Sequence, residues 1–115
     1  MTSQLPSRGQ IWEVNLNPTR GHEQAGIRPA LIVSVDGFNH GPAELVVVVP
    51  LTTTARGIPF HVPMLPPEGG VRRPSFIKCE DVRSISRERL VAPWGVASPG
   101  TMAMVADRLR ILLDL

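Results

Sequence analysis

Residues 16–33 read LNPTRGHEQAGIRPALIV, and Arg20, His22, Glu23 and Arg28 fall in nine positions of it, between two apolar runs. Glycines at 21 and 26 allow a backbone in such a stretch to turn or to approach a ligand closely. Arg28 precedes Pro29, which pushes its backbone to an extended conformation and sets it at the mouth of the following strand. There it is either a donor to an anion or a solvated strand end paired with Glu23. A second cluster is PLTTTARG, residues 50–57. Thr52, Thr53 and Arg56 offer hydroxyl and guanidinium donors that suit a phosphate, although threonine is equally an ordinary strand and turn residue. The third cluster is KCEDVR, residues 78–83, with Lys78, Glu80, Asp81 and Arg83. On a strand, neighbouring carboxylates point to opposite faces, so Glu80 is the one expected beside Lys78. That pair is either a surface ion pair of little energetic weight or an acid/base group near phosphate chemistry.

Arginine and threonine donors together with carboxylates suit one reaction without a metal: RNA cleavage by the substrate's own 2′-hydroxyl. Such a reaction needs a base for the 2′-OH, an acid for the 5′-oxygen and cationic donors for the charge growing on the phosphorane. Other templates are missing. The chain has no phosphate-binding Gly-x-x-x-x-Gly-Lys-Ser/Thr loop, no Gly-x-Gly-x-x-Gly after a strand and no nucleophile elbow. His22, His40 and His61 lack zinc-like spacing and have no cysteine partners, so neither a metal nor another cofactor is expected.

The elements that must position these groups are short. GQIWEVNL (9–16) alternates apolar and polar positions as a half-buried strand does. PALIVSV (29–35) is a continuous apolar run expected as a central strand, and DGFNHGP (36–42) is turn-rich. ELVVVVPLT (44–52) is β-branched enough to be buried on both faces. PFHVPM (59–64) suggests an edge strand because of its prolines. LPPEGGVRRP (65–74) is a long turn, SFIKCEDV (75–82) a further strand, RSISRER a short helical turn, and PWGVA (93–97) a last short strand. From Ser98 the period changes. Ser98 is the expected N-cap and Pro99 the first helical residue; Met102, Val105, Leu109 and Leu112 form the apolar stripe of an amphipathic helix. The fold class is therefore mainly β: five or six antiparallel strands in a small barrel or curled sheet, closed by a C-terminal helix. Trp12 and Phe38 are expected in the core rather than as stacking platforms.

With 115 residues, 43% of them hydrophobic, the chain can bury one core. One domain is expected over residues 8–115, behind a loose tail at 1–7. Charged residues make up 19% and the formal net charge is +2, mildly basic. Eleven of the twelve cations are arginine, whose planar fork suits phosphate and carboxylate; biased codon usage is the alternative source of that excess. The single cysteine, Cys79, supports no disulfide framework. No signal-peptide h-region opens the sequence, and its longest apolar run is far too short to span a bilayer. A soluble, cytoplasmic protein with no membrane partner is expected.

In its order of motifs the sequence resembles the MazF/PemK family of bacterial toxins. RGQIWEVNLNPTRGHEQAGIRPALIVS is similar to the family's N-terminal signature; VVVVPLTTT, PFHVPM and CEDVRSISRERL follow in the family's order, and the likeness spans about residues 8–114. The resemblance implies a small SH3-like barrel, similar to CcdB, with a C-terminal helix. It implies a bacterial, cytoplasmic, sequence-specific endoribonuclease. Such an enzyme cuts single-stranded RNA without metal to 2′,3′-cyclic phosphate and 5′-hydroxyl ends and arrests translation. It further implies a homodimer with RNA along its interface, and a cognate antitoxin of the MazE/PemI kind wrapping that groove.

Residue by residue, the resemblance makes Arg28 the catalytic arginine and Thr52 the catalytic threonine. It implies that Arg28 stabilises the phosphorane and that Thr52 holds the phosphate or aligns the 2′-hydroxyl. His22 matches a loop histidine of PemK-type members, and Glu80 stands where those members favour aspartate; both are candidates for proton transfer. Glu23, Gln24, Arg20, Thr53, Arg56, Lys78 and Arg83 are the expected RNA-binding positions. Lys78-Cys79-Glu80 departs from the Arg-Cys-Asp of PemK-type members, keeping the charges but losing the guanidinium fork. Two other functions fit the same fold: a CcdB-like gyrase poison without nuclease activity, and an RNA-binding module that does not cut.

Overall fold

The computed structural model describes residues 5–18, 20–23 and 25–115. Its seven strands are β1 (Gln10–Asn15), β2 (Ile27–Ile32), β3 (Leu45–Thr52), β4 (His61–Met64), β5 (Ser75–Lys78), β6 (Arg83–Ser86) and β7 (Leu90–Val96). A one-turn helix, α1 (Asp36–Asn39), links β2 to β3, and α2 (Pro99–Leu113) follows β7. All strand pairs are antiparallel, in the order β4-β5-β3-β2-β1-β7, with β6 on β3.

β1, β2 and β3 form the centre because their side chains are apolar on both faces. On one face Ile11, Leu31, Val49 and Leu51 pack with Val62, Met64 and Ile77 from β4 and β5 and with Val105 of α2. On the other, Trp12, Val14, Ala30, Ile32, Val46 and Val48 pack with Ile85 of β6. Each such buried aliphatic side chain contributes about 1.5–3 kcal/mol, so burial on two faces is what fixes this three-strand core. Trp12 is fully buried, as its sequence suggests, and its indole N–H donates to Gln10 Oε1 at 2.9 Å. Phe38 is not a core residue: it lies on α1 and stays 36% exposed. The expected strand to residue 35 stops at Ile32, because Val35 already caps α1.

The other outer edge of β3 explains the seventh strand. Leu45–Val48 pair with β6 and Leu51–Thr52 pair with β5, which leaves Val49 and Pro50 unpaired on that side. Pro50 has no N–H to give a ladder. Opposite it the chain leaves the sheet in a 3-10 turn, Cys79–Asp81. The strand expected over 75–82 therefore ends at Lys78, and the helical turn expected over RSISRER is strand β6 followed by a 3-10 turn at Arg87–Arg89. The Cys79–Asp81 turn also brings Lys78 Nζ to Asp81 Oδ2, 3.9 Å away at i,i+3, and Glu80 Oε2 to His61 Nε2 at 2.8 Å.

The sheet curls without closing: among the described residues no ladder joins β4 to β7. The gap is covered by a 3-10 turn at Glu68–Gly70, packed on Trp94 and Gly95 of β7. Space there admits only glycine. A Cβ on Gly70 would stand 2.6 Å from the Trp94 carbonyl oxygen, and one on Gly95 would stand 2.7 Å from the Gly69 carbonyl carbon.

α2 begins as its sequence predicts. Ser98 Oγ accepts from the Thr101 N–H at 3.1 Å and Pro99 occupies the first turn. Met102, Val105 and Leu109 pack on the core, and Leu112 is half-buried. The Ser98 N–H donates to Glu68 Oε2 at 2.9 Å, tying the helix to the turn that covers the gap. Burial raises the Glu68 carboxyl, but hydrogen bonds from Thr101 and Ser98 outweigh it and leave the group below its ordinary value. Residues 1–4 of the expected tail lie outside the described residues. Pro6 is buried, and its carbonyl accepts from His40 Nε2 at 2.7 Å. No helix among the described residues is long and apolar enough to cross a membrane.

Candidate active site

β2 and β3 separate at one end. Their last paired residues there are Ala30 and Pro50. Continuing the same register two residues further sets Arg28 opposite Thr52, and the period of two puts both side chains on one face. β1 still pairs with this part of β2, at Val14 opposite Arg28, and so holds it extended while β3 has left. The result is a cleft of about 290 Å³ lined by Arg28, Pro29, Leu51, Thr52, Thr53, Thr54, Arg56 and Ser75. Arg28 is exposed, and its Nε donates to the Ala25 carbonyl at 3.2 Å, which orients the guanidinium. Thr52 Oγ1 accepts from the Thr54 N–H at 3.2 Å. Its hydroxyl proton is thereby left to donate.

A second cleft of about 350 Å³ is lined by His22, Glu23, Arg56, Ile58, Lys78, Glu80 and Asp81. Arg56 lines both clefts, so they are neighbours. The loop that brings His22 and Glu23 here is closed at its base. The Leu16 N–H donates to the Gly26 carbonyl at 2.9 Å and the Gly26 N–H to Asn17 Oδ1 at 3.0 Å. Gly26, at φ +81°, makes that closure possible. Glu23 Oε1 accepts from the Arg20 N–H at 2.9 Å, within the loop. Glu23 does not pair with Arg28. Its Oε2 lies 3.9 Å from Arg83 Nη1, a long and partly exposed pair of small energetic weight.

The expected site residues are thus divided. Arg28, Thr52, Thr53 and Arg56 meet in the first cleft; His22, Glu23, Lys78 and Glu80 meet with Arg56 in the second. Arg20 and Arg83 line neither, though Arg83 borders the second through Glu23. Gln24 lies outside the described residues. Among the described residues no group of three or more histidine, cysteine, aspartate or glutamate side chains is placed to hold a metal ion.

Sequence reasoning missed Ser75 at the first cleft, and it missed His61 beside the second. His61 Nε2 lies 2.8 Å from Glu80 Oε2, with the imidazole only 4% exposed. Nothing local in the sequence links two residues nineteen positions apart on β4 and the 79–81 turn. Cys79, between Lys78 and Glu80, is buried and belongs to the core. Burial first, and the Glu80 carboxylate second, push its thiol up to about 11, so it is no nucleophile at neutral pH.

The arrangement offers a cationic and hydroxyl-rich cleft beside one that holds a histidine and carboxylates. Known proteins resemble the chain as a whole over nearly all of their length. A relative named Endoribonuclease MazF9, from Mycobacterium tuberculosis, is 37% identical over 113 residues, covering 94% of this chain and 96% of its own. The Endoribonuclease toxin MazF of Escherichia coli K12 is 30% identical, with 95% of each chain covered. The crystal structure of MazF from Deinococcus radiodurans superposes with a TM-score of 0.87 at 32% identity, covering 98% of this chain and all of its own. A mycobacterial endoribonuclease solved in complex with its cognate antitoxin superposes at 0.79 and 30% identity, with 96% of each chain covered. The model of the PemK-like, MazF-like toxins of type II toxin–antitoxin systems matches residues 7–113, and the chain belongs to that family, whose relatives here are named endoribonucleases.

Proposed function

We propose that this toxin is a sequence-specific, metal-independent endoribonuclease that cuts single-stranded RNA, mRNA above all, and so stops translation. The observation that carries the reading is the cleft at the separated end of β2 and β3, which Arg28, Thr52 and Arg56 line together. A scissile phosphate bound there meets guanidinium and hydroxyl donors where negative charge grows in the transition state. Such preorganised donors typically contribute roughly 10²–10³-fold each. Glu80, in the neighbouring cleft, takes the proton of the 2′-hydroxyl as its oxygen attacks phosphorus. The P–O5′ bond breaks, and His22 supplies the proton that the departing O5′ needs. The products are a 2′,3′-cyclic phosphate and a 5′-hydroxyl.

The protein acts as a homodimer in the cytoplasm, and a cognate antitoxin covers the RNA groove. The antitoxin complex of the mycobacterial relative supports that partner. Loops 53–58 and 65–74 shape base recognition, since single-stranded bases are read by their edges and by stacking. The test is incubation of purified protein with single-stranded RNA in EDTA, followed by sequencing and chemical typing of the ends. Cleavage in EDTA with cyclic-phosphate ends is expected. Arg28→Ala, checked for folding by circular dichroism, should abolish it. Undiminished cleavage by that variant would remove Arg28 from the reaction.

A further inference from the structure

His61 is an ionisable side chain beside the second cleft that the reaction above leaves without a task. It sits on β4, the edge strand, in register with Lys78 of β5. Its ring lies beside Phe76, centroids 6.5 Å apart, and is 4% exposed. Nε2 meets Glu80 Oε2 at 2.8 Å, while Nδ1 is buried with no partner among the described residues. Leaving a buried polar atom unpaired opposes folding. An apolar side chain on this edge strand would avoid that cost. What the imidazole obtains in exchange, among the described residues, is one hydrogen bond, and it is with a carboxylate that lines the second cleft.

We propose that His61 is the positioning residue of Glu80: a buried strut that holds one carboxylate oxygen so that the other faces bound RNA. In the neutral ring the contact is a hydrogen bond to an ionised carboxylate when Nε2 carries the proton, and Nδ1 is then the bare nitrogen. Nδ1, the bare nitrogen of that tautomer, is the one buried without a partner among the described residues. Glu80 itself is 29% exposed, so its carboxylate spans from the buried ring to the cleft. Without the strut, a glutamate at the rim of an open cleft samples many rotamers, and a base that is out of place transfers protons poorly. This inference rests on the proton-accepting role given to Glu80 above.

The test is steady-state cleavage of a single-stranded RNA oligonucleotide spanning a mapped cut site, by the full chain and four variants. These are His61→Leu, His61→Gln, Glu80→Gln, and His61→Leu combined with Glu80→Gln. General base catalysis contributes roughly 10²–10⁴-fold, so a displaced base should lower kcat about tenfold or more with KM little changed. His61→Gln, whose amide can donate from near the Nε2 position, should recover most of that loss. In the Glu80→Gln background, His61→Leu should cost nothing further. Wild-type kcat in His61→Leu, a loss confined to KM, or an equal loss in both backgrounds would overturn the strut. Wild-type kcat in Glu80→Gln would overturn the proton role of Glu80 and this inference with it. Should His61→Leu not fold, nitrogen NMR of the intact protein decides: Nε2 protonated, Nδ1 bare, and both resonances moved by Glu80→Gln. The opposite tautomer, or no response to Glu80→Gln, overturns the proposal.

Discussion

The seam between β7 and the Glu68–Gly70 turn should tolerate no added methyl, and Gly95→Ala tests it most cleanly. Gly95 lacks the positive φ of Gly69 and Gly70, so backbone strain does not enter. The new Cβ would meet three backbone atoms, Gly69 C at 2.7 Å, Gly70 N at 2.9 Å and Gly69 O at 3.0 Å. None is the far end of a flexible side chain, so β7 and the turn must part. Overpacking of this kind costs about 1–3 kcal/mol. The smaller conformational freedom of alanine in the unfolded chain returns about 0.4–1 kcal/mol. The net loss is about 1–2 kcal/mol. A chain of this length has an unfolding entropy near ~0.24 kcal/mol/K, so Tm should fall by about 4–8 °C. Urea unfolding followed by circular dichroism should show a lower midpoint with an unchanged slope. Gly37→Ala is the control, because its Cβ meets nothing within 4 Å and its φ is not positive. If Gly95→Ala unfolds at the same midpoint as Gly37→Ala, the seam is not packed as described. None of the seam residues lines either cleft, so any effect on RNA cleavage well below the transition should fall on sequence preference, through loop 65–74, and not on kcat.

Thr52→Val keeps the shape of the side chain but removes the hydroxyl in the first cleft; kcat for RNA cleavage should fall about 10²-fold or more, with the fold retained. The Glu68 carboxyl lies below its ordinary 4.5, so it contributes stability that is present above about pH 4.5 and is lost as pH falls through the folded value. Unfolding free energy measured between pH 6 and pH 3 should therefore fall less steeply in Glu68→Gln than in the wild type; parallel curves would contradict it. Cys79 should resist iodoacetamide at pH 8 in the native protein and react once urea exposes it, because its buried thiol stands at about 11. Rapid labelling of the folded chain, followed by mass spectrometry, would show that the site is open.

Much of the fold is legible along the chain because its causes are local. The apolar run of β3 declares burial on two faces, the prolines around β4 declare an edge, and Ser98-Pro99 declares the start of α2. Phe38 misleads because its setting is not local: α1 is too short to have a buried side of its own, and nothing in the sequence shows which way it packs. Glu80 misleads because alternation holds only while a strand lasts. Pro50, on another strand, is what interrupts the ladder opposite it.

The sequence by itself determined the β-rich class with its closing helix. It also determined the chemistry on offer, arginines, threonines, a histidine and carboxylates, since residue types and short-range periods are properties of the chain alone. Only the tertiary structure decided which of those groups meet. Strand register set Arg28 opposite Thr52, and a loop closed by Gly26 carried His22 toward Glu80. An edge strand placed His61 behind that carboxylate. Each of these brings together segments far apart in the chain. Such contacts are fixed by how strands pair and pack, and no spacing within one segment encodes them.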